Sequence, residues 1–300
     1  MDYLYYPGCT LVESARNFDL CGRAAARALD VELVEMPNWT CCGTTFPLTK
    51  RKIVGLVAPL RILVNAKRQG YDELLTLCSF CYNVLKRANY AVRNRADERT
   101  RINAYLEDEF RRAGHAYREY EGDVEVVHLL EVLRDKVGFE SIAAHAKRSL
   151  AGLKVAPYYG CLLLRPQREL GLDDADEPTV LENLLGALAC DVVDFPHRVE
   201  CCGSYLGLSS PDIALQNSFE IVHTASRLEA DVLAVVCPLC AYNLDLRQEE
   251  MHQRFSGFRP VPVLYFTELL ALALEADEEA YSWDRHAVDP LPVLHALGAV

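Results

Sequence analysis

The chain has 300 residues, 51% of them apolar, enough to bury a sizeable core in one large domain or two of ordinary size, which excludes a disordered or fibrous protein. Its formal charge is −12, with 31 basic against 43 acidic side chains, so no nucleic-acid partner is expected, because phosphate binding draws on a basic surface. The first residues, Met1 to Thr10, lack the basic start and apolar run of a signal peptide, so a cytoplasmic protein with no membrane span is expected.

Taken in order, Tyr3 to Tyr6, Val31 to Met36 and Leu74 to Leu77 read as short buried strands, with helical patterns over Ser14 to Leu29 and Lys52 to Gln69. Basic residues gather between Lys86 and Arg118. Asp97, Glu98, Glu107, Asp108 and Glu109 are interspersed among them, which predicts a solvated helix face rather than a docking patch. Leu106 to Leu150 completes a first domain and links it to a second. There Val155 to Tyr159, Asp191 to Phe195 and Val232 to Val236 read as strands, and Pro178 to Leu188 and Pro211 to Leu228 as helices. The apolar stretch Val261 to Leu274 is too short for a membrane span and is broken by Thr267 and Glu268. Beyond Glu275 the tail is acidic, then apolar and interrupted by proline. An arm on a partner subunit or a partly ordered terminus is expected there.

Strand and helix alternating in this way imply parallel βαβ units. The expected fold is therefore α/β, with two duplicated parallel-sheet (Rossmann-like) domains over 1–150 and 151–275 and an acidic tail over 276–300.

Duplication is written into the cysteines. Cys9, then Cys41-Cys42-Gly43, then Cys78-x-x-Cys81 recurs as Cys161, then Cys201-Cys202-Gly203, then Cys237-x-x-Cys240. The intervening gaps are 31 and 35 residues in the first copy and 39 and 34 in the second. Flanking residues repeat too: Tyr5-Tyr6-Pro7-Gly8-Cys9 against Tyr158-Tyr159-Gly160-Cys161, and Val34-Glu35-Met36-Pro37 against Val193-Asp194-Phe195-Pro196. Open parallel sheets bind ligands beyond the carboxyl ends of their strands, so three strand ends in each half are expected to gather five cysteines.

Cytosolic thiols are kept reduced, so twelve cysteines in such a chain point to metal rather than to a disulfide framework. A structural zinc takes four ligands, and so does an ordinary cubane cluster, whereas each copy offers five. Adjacent cysteines such as Cys41 and Cys42 point apart unless the backbone bends, and more easily serve different irons. That favours a larger or opened iron–sulfur cluster. Two zinc sites with a spare cysteine each, or redox disulfides, stay open as alternatives because Cys-x-x-Cys serves all three.

Cys21 and Cys190 lie outside the pattern and are expected to be small buried hydrophobes. His197-Arg198 precedes Cys201, where a proton donor would be useful, and Lys50 and Arg51 follow Cys42. For each of these an exposed loop is the alternative reading. The chain has no Gly-x-Gly-x-x-Gly or Walker loop, so flavin or nicotinamide is expected only in a partner. The Cys-x2-Cys-x2-Cys-x3-Cys-Pro run of ferredoxins is absent as well, so electrons are expected to arrive from elsewhere.

The doubled pattern resembles the cysteine-rich Cys-Cys-Gly domain, and two copies filling the chain up to the tail resemble the B-type subunit of heterodisulfide reductase and its bacterial relatives. That resemblance implies two noncubane [4Fe-4S] clusters, the first held by Cys9, Cys41, Cys42, Cys78 and Cys81 and the second by Cys161, Cys201, Cys202, Cys237 and Cys240. It implies that the clusters face a shared cavity in which a disulfide is reduced, each delivering one of the two electrons. It further implies a small partner subunit with cubane clusters, attached to a flavin subunit, and a disulfide or protein-bound sulfur species as substrate. The variants are a subunit working in sulfur oxidation and an electron-transfer subunit of a fumarate, lactate or glycolate oxidoreductase.

Overall fold

The computed structural model describes residues 1–44 and 53–298. Two four-stranded parallel sheets form, each with the same connectivity. In the first, β1 (Asp2–Tyr5), β2 (Glu32–Glu35), β3 (Glu73–Thr76) and β4 (Glu125–His128) lie in the order β2-β1-β3-β4. In the second, β5 (Lys154–Tyr158), β6 (Asp191–Val192), β7 (Val232–Val235) and β8 (Val263–Tyr265) lie in the order β6-β5-β7-β8. The central strands β1, β3, β5 and β7 are almost wholly buried, as expected of sheets covered on both faces by crossover helices. The fold is α/β, built from duplicated Rossmann-like halves.

Six strands fall where the residue pattern puts them. The other two, β4 and β8, are additions to that reading. Each ends in a reciprocal cap: Glu131 accepts from the His128 backbone N–H at 2.7 Å, and Glu268 accepts from that of Tyr265 at 2.8 Å. The apolar stretch Val261 to Leu274 thus resolves into a three-residue strand followed by the helix Phe266–Leu274. Among the described residues no helix is long and apolar enough to cross a membrane.

Each half lends the segment after its fourth strand to the other half. Phe266–Leu274, buried along its whole length, lies against the helix Arg16–Ala28 of the first half. Phe18 stacks on Tyr265 with centroids 4.3 Å apart and meets Phe266 edge-on, while Thr267 Oγ1 donates to the Phe18 carbonyl at 3.1 Å. In return, Arg134, just beyond β4, donates to the Leu172 carbonyl, and the helix Phe139–His145 packs on Val180–Ala187. Of the basic stretch, the helix Ala96–Arg112 is solvated, with Asp108 pairing with Arg111 and Arg112 on the exposed side and Arg61 gripping Glu109 with two bonds, whereas Lys86 and Arg87 are mostly buried and Arg87 pairs with Glu169 of the second half at 2.7 Å. Pairs of this kind at a wet surface contribute little.

Over its described residues the tail packs on the chain itself and straps the two halves together. The Ala280 carbonyl accepts from Cys21, Tyr281 donates to the Ala271 carbonyl, and Leu294 is fully buried. Its anchor is His286, whose Nε2 stands 2.9 Å from Glu268 Oε1 and whose Nδ1 stands 3.9 Å from Asp245 Oδ2. Asn17 of the first half donates to the same Glu268 oxygen at 2.9 Å, and Asp245 takes the backbone N–H groups of Ala287 and Val288. The side chains of His286, Glu268 and Asp245 are 4%, 0% and 6% exposed, so the charges are desolvated and have to satisfy one another.

Burial alone lowers the pKa of His286, but the Glu268 carboxylate, helped by Asp245, outweighs it and holds the imidazole above its usual 6.5. Burial also raises Asp245. The His286 shift leaves the folded chain holding more protons than the unfolded one, so its contribution is complete below about pH 6.5 and is lost as pH rises through the folded pKa of His286. His286→Ala is expected to cost about 3–5 kcal/mol at about pH 6, the usual penalty for breaking a buried pair, and less at about pH 8.5. Urea unfolding of both chains at the two pH values checks this; a penalty that does not shrink with rising pH contradicts it.

Candidate metal centres

All ten motif cysteines lie beyond the carboxyl ends of strands. Cys9 and Cys161 follow β1 and β5, the Cys-Cys-Gly loops follow β2 and β6, and each Cys-x-x-Cys turns out of β3 or β7 into a helix. Cys78 is the N-cap of the helix Ser79–Asn94, with its sulfur accepting from the Cys81 N–H at 3.5 Å, and Cys237 occupies the same place ahead of Pro238–Ala241.

In the first half, Cys9 Sγ lies 3.9 Å from Cys41 Sγ, and Cys42 Sγ lies 3.7 Å from Cys81 Sγ. In the second, Cys202 Sγ and Cys240 Sγ are 3.6 Å apart, and one cavity is lined by Cys161, Cys201, Cys202, Cys237 and Cys240 together. Cys42, Cys78, Cys81, Cys202, Cys237 and Cys240 are buried, whereas Cys9, Cys41 and Cys201 are exposed and Cys161 is half-buried. Each half therefore has a walled side and an open side. Among the described residues no three His, Cys, Asp or Glu side chains are arranged around a single ion. Roomier clefts, about 430 Å³ beside Arg61, Arg68 and His115 and about 640 Å³ beside Arg148, Tyr281 and Trp283, contain no cysteine.

The glycines have a steric reason. Gly8 and Gly160 both have positive φ, and a Cβ there would come within 2.7 Å of Cys81 Sγ and 3.0 Å of Cys240 Sγ. A side chain at either would fill the space between the sulfurs. Gly203, at φ +84°, turns its N–H onto Cys201 Sγ at 3.3 Å, and a Cβ there would strike Ala214 Cα at 2.7 Å. Gly43 makes the same bond to Cys41 at 3.4 Å. This bend lets two consecutive cysteines serve one site.

Thiol-to-thiol bonds split the protonation states. The contact with Cys81 pulls Cys42 down to about 7, that with Cys240 pulls Cys202 to about 7, and that with Cys161 pulls Cys201 to about 6. Their partners Cys81, Cys240 and Cys161 are raised in return. Thiolates are thus available near neutral pH, as metal binding requires. All-sulfur donor sets of five, spread around a space that two glycines keep clear, fit an iron–sulfur group.

Several supporting residues were not legible as site residues. Tyr6 and Tyr158 donate through their hydroxyls to the carbonyls of Thr40 and Glu200, each the residue just before a Cys-Cys-Gly, at 2.8 Å. The repeated tyrosine was the available signal. Ser218 and Asn243 both donate to the Cys202 carbonyl at 3.0 Å. The two Cys-x-x-Cys turns meet across the molecule, where Ser79 Oγ donates to the Val236 carbonyl at 2.6 Å, adjacent to Cys237. His197, the candidate proton donor, does not line the second cavity: its Nδ1 faces Glu200 at 2.8 Å and its Nε2 faces Thr224 at 3.1 Å. Lys50 and Arg51 lie outside the described residues. Cys21 and Cys190 are buried away from the pattern, and burial pushes Cys190 up to about 12.

A family model described as a cysteine-rich domain matches the chain twice, over residues 3–86 and 155–245. The "8-methylmenaquinol:fumarate reductase membrane anchor subunit" of Wolinella succinogenes is 32% identical over 96% of this chain and 97% of its own. A protein of Archaeoglobus profundus, named as similar to the B-type subunit of heterodisulfide reductase, is 28% identical over 92% of each. The B-type subunit of the ferredoxin:CoB-CoM heterodisulfide reductase of Methanosarcina mazei is 25% identical over 96% of this chain and 94% of its own. Among solved structures, a hypothetical protein from Helicobacter pylori superposes with a TM-score of 0.74 at 12% identity. That match covers 95% of this chain and 51% of the other, a likeness of fold in which this chain spans about half the neighbour's length. With its doubled cysteine motif, doubled sheet and two matches to the family model, the chain belongs to the cysteine-rich CCG-domain family.

Proposed function

We propose that this chain is the catalytic iron–sulfur subunit of a heterodisulfide reductase-like complex, reducing or forming a disulfide at two noncubane [4Fe-4S] clusters. Cys9, Cys41, Cys42, Cys78 and Cys81 hold the first cluster, and Cys161, Cys201, Cys202, Cys237 and Cys240 the second. The observation that carries this is the gathering of five thiols at the strand ends of each half, in a chain whose relatives bear the name of that subunit.

When bound, the clusters supply one-electron transfer and iron sites with an affinity for sulfur. A disulfide takes up two electrons to become two thiolates, so a duplicated chain matches both the electron count and the pair of sulfurs. The chain's own residues set the conditions. Exposed Cys9, Cys41 and Cys201 leave an approach for a sulfur substrate, while the buried cysteines exclude water from the far side. The Ser79 bond to Val236 joins the two Cys-x-x-Cys turns and fixes their spacing. Electrons arrive from a small subunit with cubane clusters and a flavin subunit; this chain needs no flavin or nicotinamide of its own. The substrate is a disulfide or a protein-bound sulfur species, the latter in the sulfur-oxidation variant.

A second reading, an electron-transfer subunit without a substrate of its own, is favoured by the 32% identity to a protein named for fumarate reductase, which exceeds the 25–28% to the heterodisulfide reductase relatives. The open side of each centre serves either reading, since a relay also needs a face open to its redox partners.

Cys9→Ser and Cys161→Ser test the paired mechanism from opposite halves. Each is expected to lower disulfide turnover by about 100-fold or more when the anaerobic chain is driven by a reduced viologen dye. Full turnover with one half emptied contradicts the paired mechanism. A reduced wild-type chain that no disulfide reoxidises, yet that passes electrons to a fumarate-reducing flavoprotein, establishes the relay instead.

A further inference from the structure

Tyr205 occupies the short turn Ser204–Leu206 immediately after Cys201-Cys202-Gly203. Its ring packs on Phe80, one of the two residues between Cys78 and Cys81 of the first half, with centroids 5.7 Å apart. Tyr205 therefore stands where the two centres approach each other. With Tyr159, Leu162 and Ser204 it completes the wall of the cavity that the second set of five cysteines lines.

Its hydroxyl is shut off from solvent and has no hydrogen-bond partner. A buried hydroxyl left unmatched costs about 1–3 kcal/mol, so such a group in a folded chain calls for an explanation. Other tyrosines of the core are satisfied: Tyr6 by Thr40, Tyr82 by Leu170, Tyr120 by Asn89, Tyr158 by Glu200 and Tyr159 by Glu182. Among the described residues two further buried side-chain atoms lack partners, Arg198 Nε and His223 Nδ1, and neither residue lines this cavity. Burial first, then the Cys161 and Cys237 thiols, hold the phenol pKa up against Arg87, so the group stays a protonated donor. Aligned on Cys-Cys-Gly, the residue matching Tyr205 in the first half is Thr45, which lies outside the described residues.

We propose that the Tyr205 hydroxyl donates a hydrogen bond to a sulfur of the iron–sulfur group held by Cys161, Cys201, Cys202, Cys237 and Cys240, and thereby raises the reduction potential of that centre. This rests on the iron–sulfur reading above. Hydrogen bonds to cluster sulfur offset the negative charge gained on reduction and so raise the potential.

Tyr205→Phe in the full-length, iron-loaded chain removes the hydroxyl and keeps the ring on Phe80. In a redox titration followed by paramagnetic resonance, one of the two transitions is expected to move to lower potential and the other to stay. The moving transition is expected to be the one missing from Cys161→Ser and present in Cys9→Ser. After exchange into deuterated water, a deuteron coupled to that centre is expected in the wild-type chain and lost in Tyr205→Phe. Unmoved potentials, a shift confined to the centre of Cys9, an unchanged deuteron signal, or failure of Tyr205→Phe to assemble its second centre would each overturn the assignment. A wild-type chain without iron overturns the underlying reading, an outcome distinct from an iron-loaded chain whose potentials do not move.

Discussion

Parallel strands all release the chain at the same edge, and in each half three consecutive strands end within reach of one space. Everything at the centres follows from that constraint. β1, β2 and β3 hand on Cys9, Cys41-Cys42 and Cys78, and β5, β6 and β7 hand on Cys161, Cys201-Cys202 and Cys237. The loops only have to bend sharply enough to turn the sulfurs inward. Gly8 and Gly160 keep the space clear, and Gly43 and Gly203 reverse the chain so that an N–H caps the first sulfur of each adjacent pair. Tyr6 and Tyr158 then pin the backbone ahead of each pair from below.

Duplication alone would give two independent sites. What couples them is the reciprocal exchange of the segments after β4 and β8, together with the tail that straps across the join. Glu268 serves both ends of this arrangement: it caps its own helix at Tyr265 and receives Asn17 from the other half and His286 from the tail. Tyr265, stacked on Phe18, is influenced by both Cys78 and Cys237, so the polar seam runs directly beneath the two Cys-x-x-Cys turns. A rigid join at that point fixes how far apart the two sets of cysteines stand, which on the proposed reading sets the spacing for a reaction on one bond between two sulfurs.

Much of this was legible in the residues because the cysteine spacing and the apolar runs before each motif report the same geometry twice. Tyr3 to Tyr6 and Val232 to Val236 are short β-branched or aromatic runs ending close to a cysteine, and they are strands. The fourth strands were hidden for a physical reason. Val263–Tyr265 runs straight into an apolar helix, and the caps after both strands use His128 and Tyr265 where serine or threonine is usual. The tail was beyond reach because its anchor joins residues as far apart as Asn17 and His286, 269 positions along the chain. Tyr205 shows the same limit: an unmatched hydroxyl exists only once the fold has removed it from water.

Five sulfurs in each half serve an iron–sulfur group on this reading, whereas a single structural ion would use four and leave one idle. Iron, acid-labile sulfide and zinc determined on chain purified without oxygen separate the two. About eight irons and about eight sulfides per chain, divided equally between the halves, are expected. Zinc bound at about one ion per half, without sulfide, would contradict it.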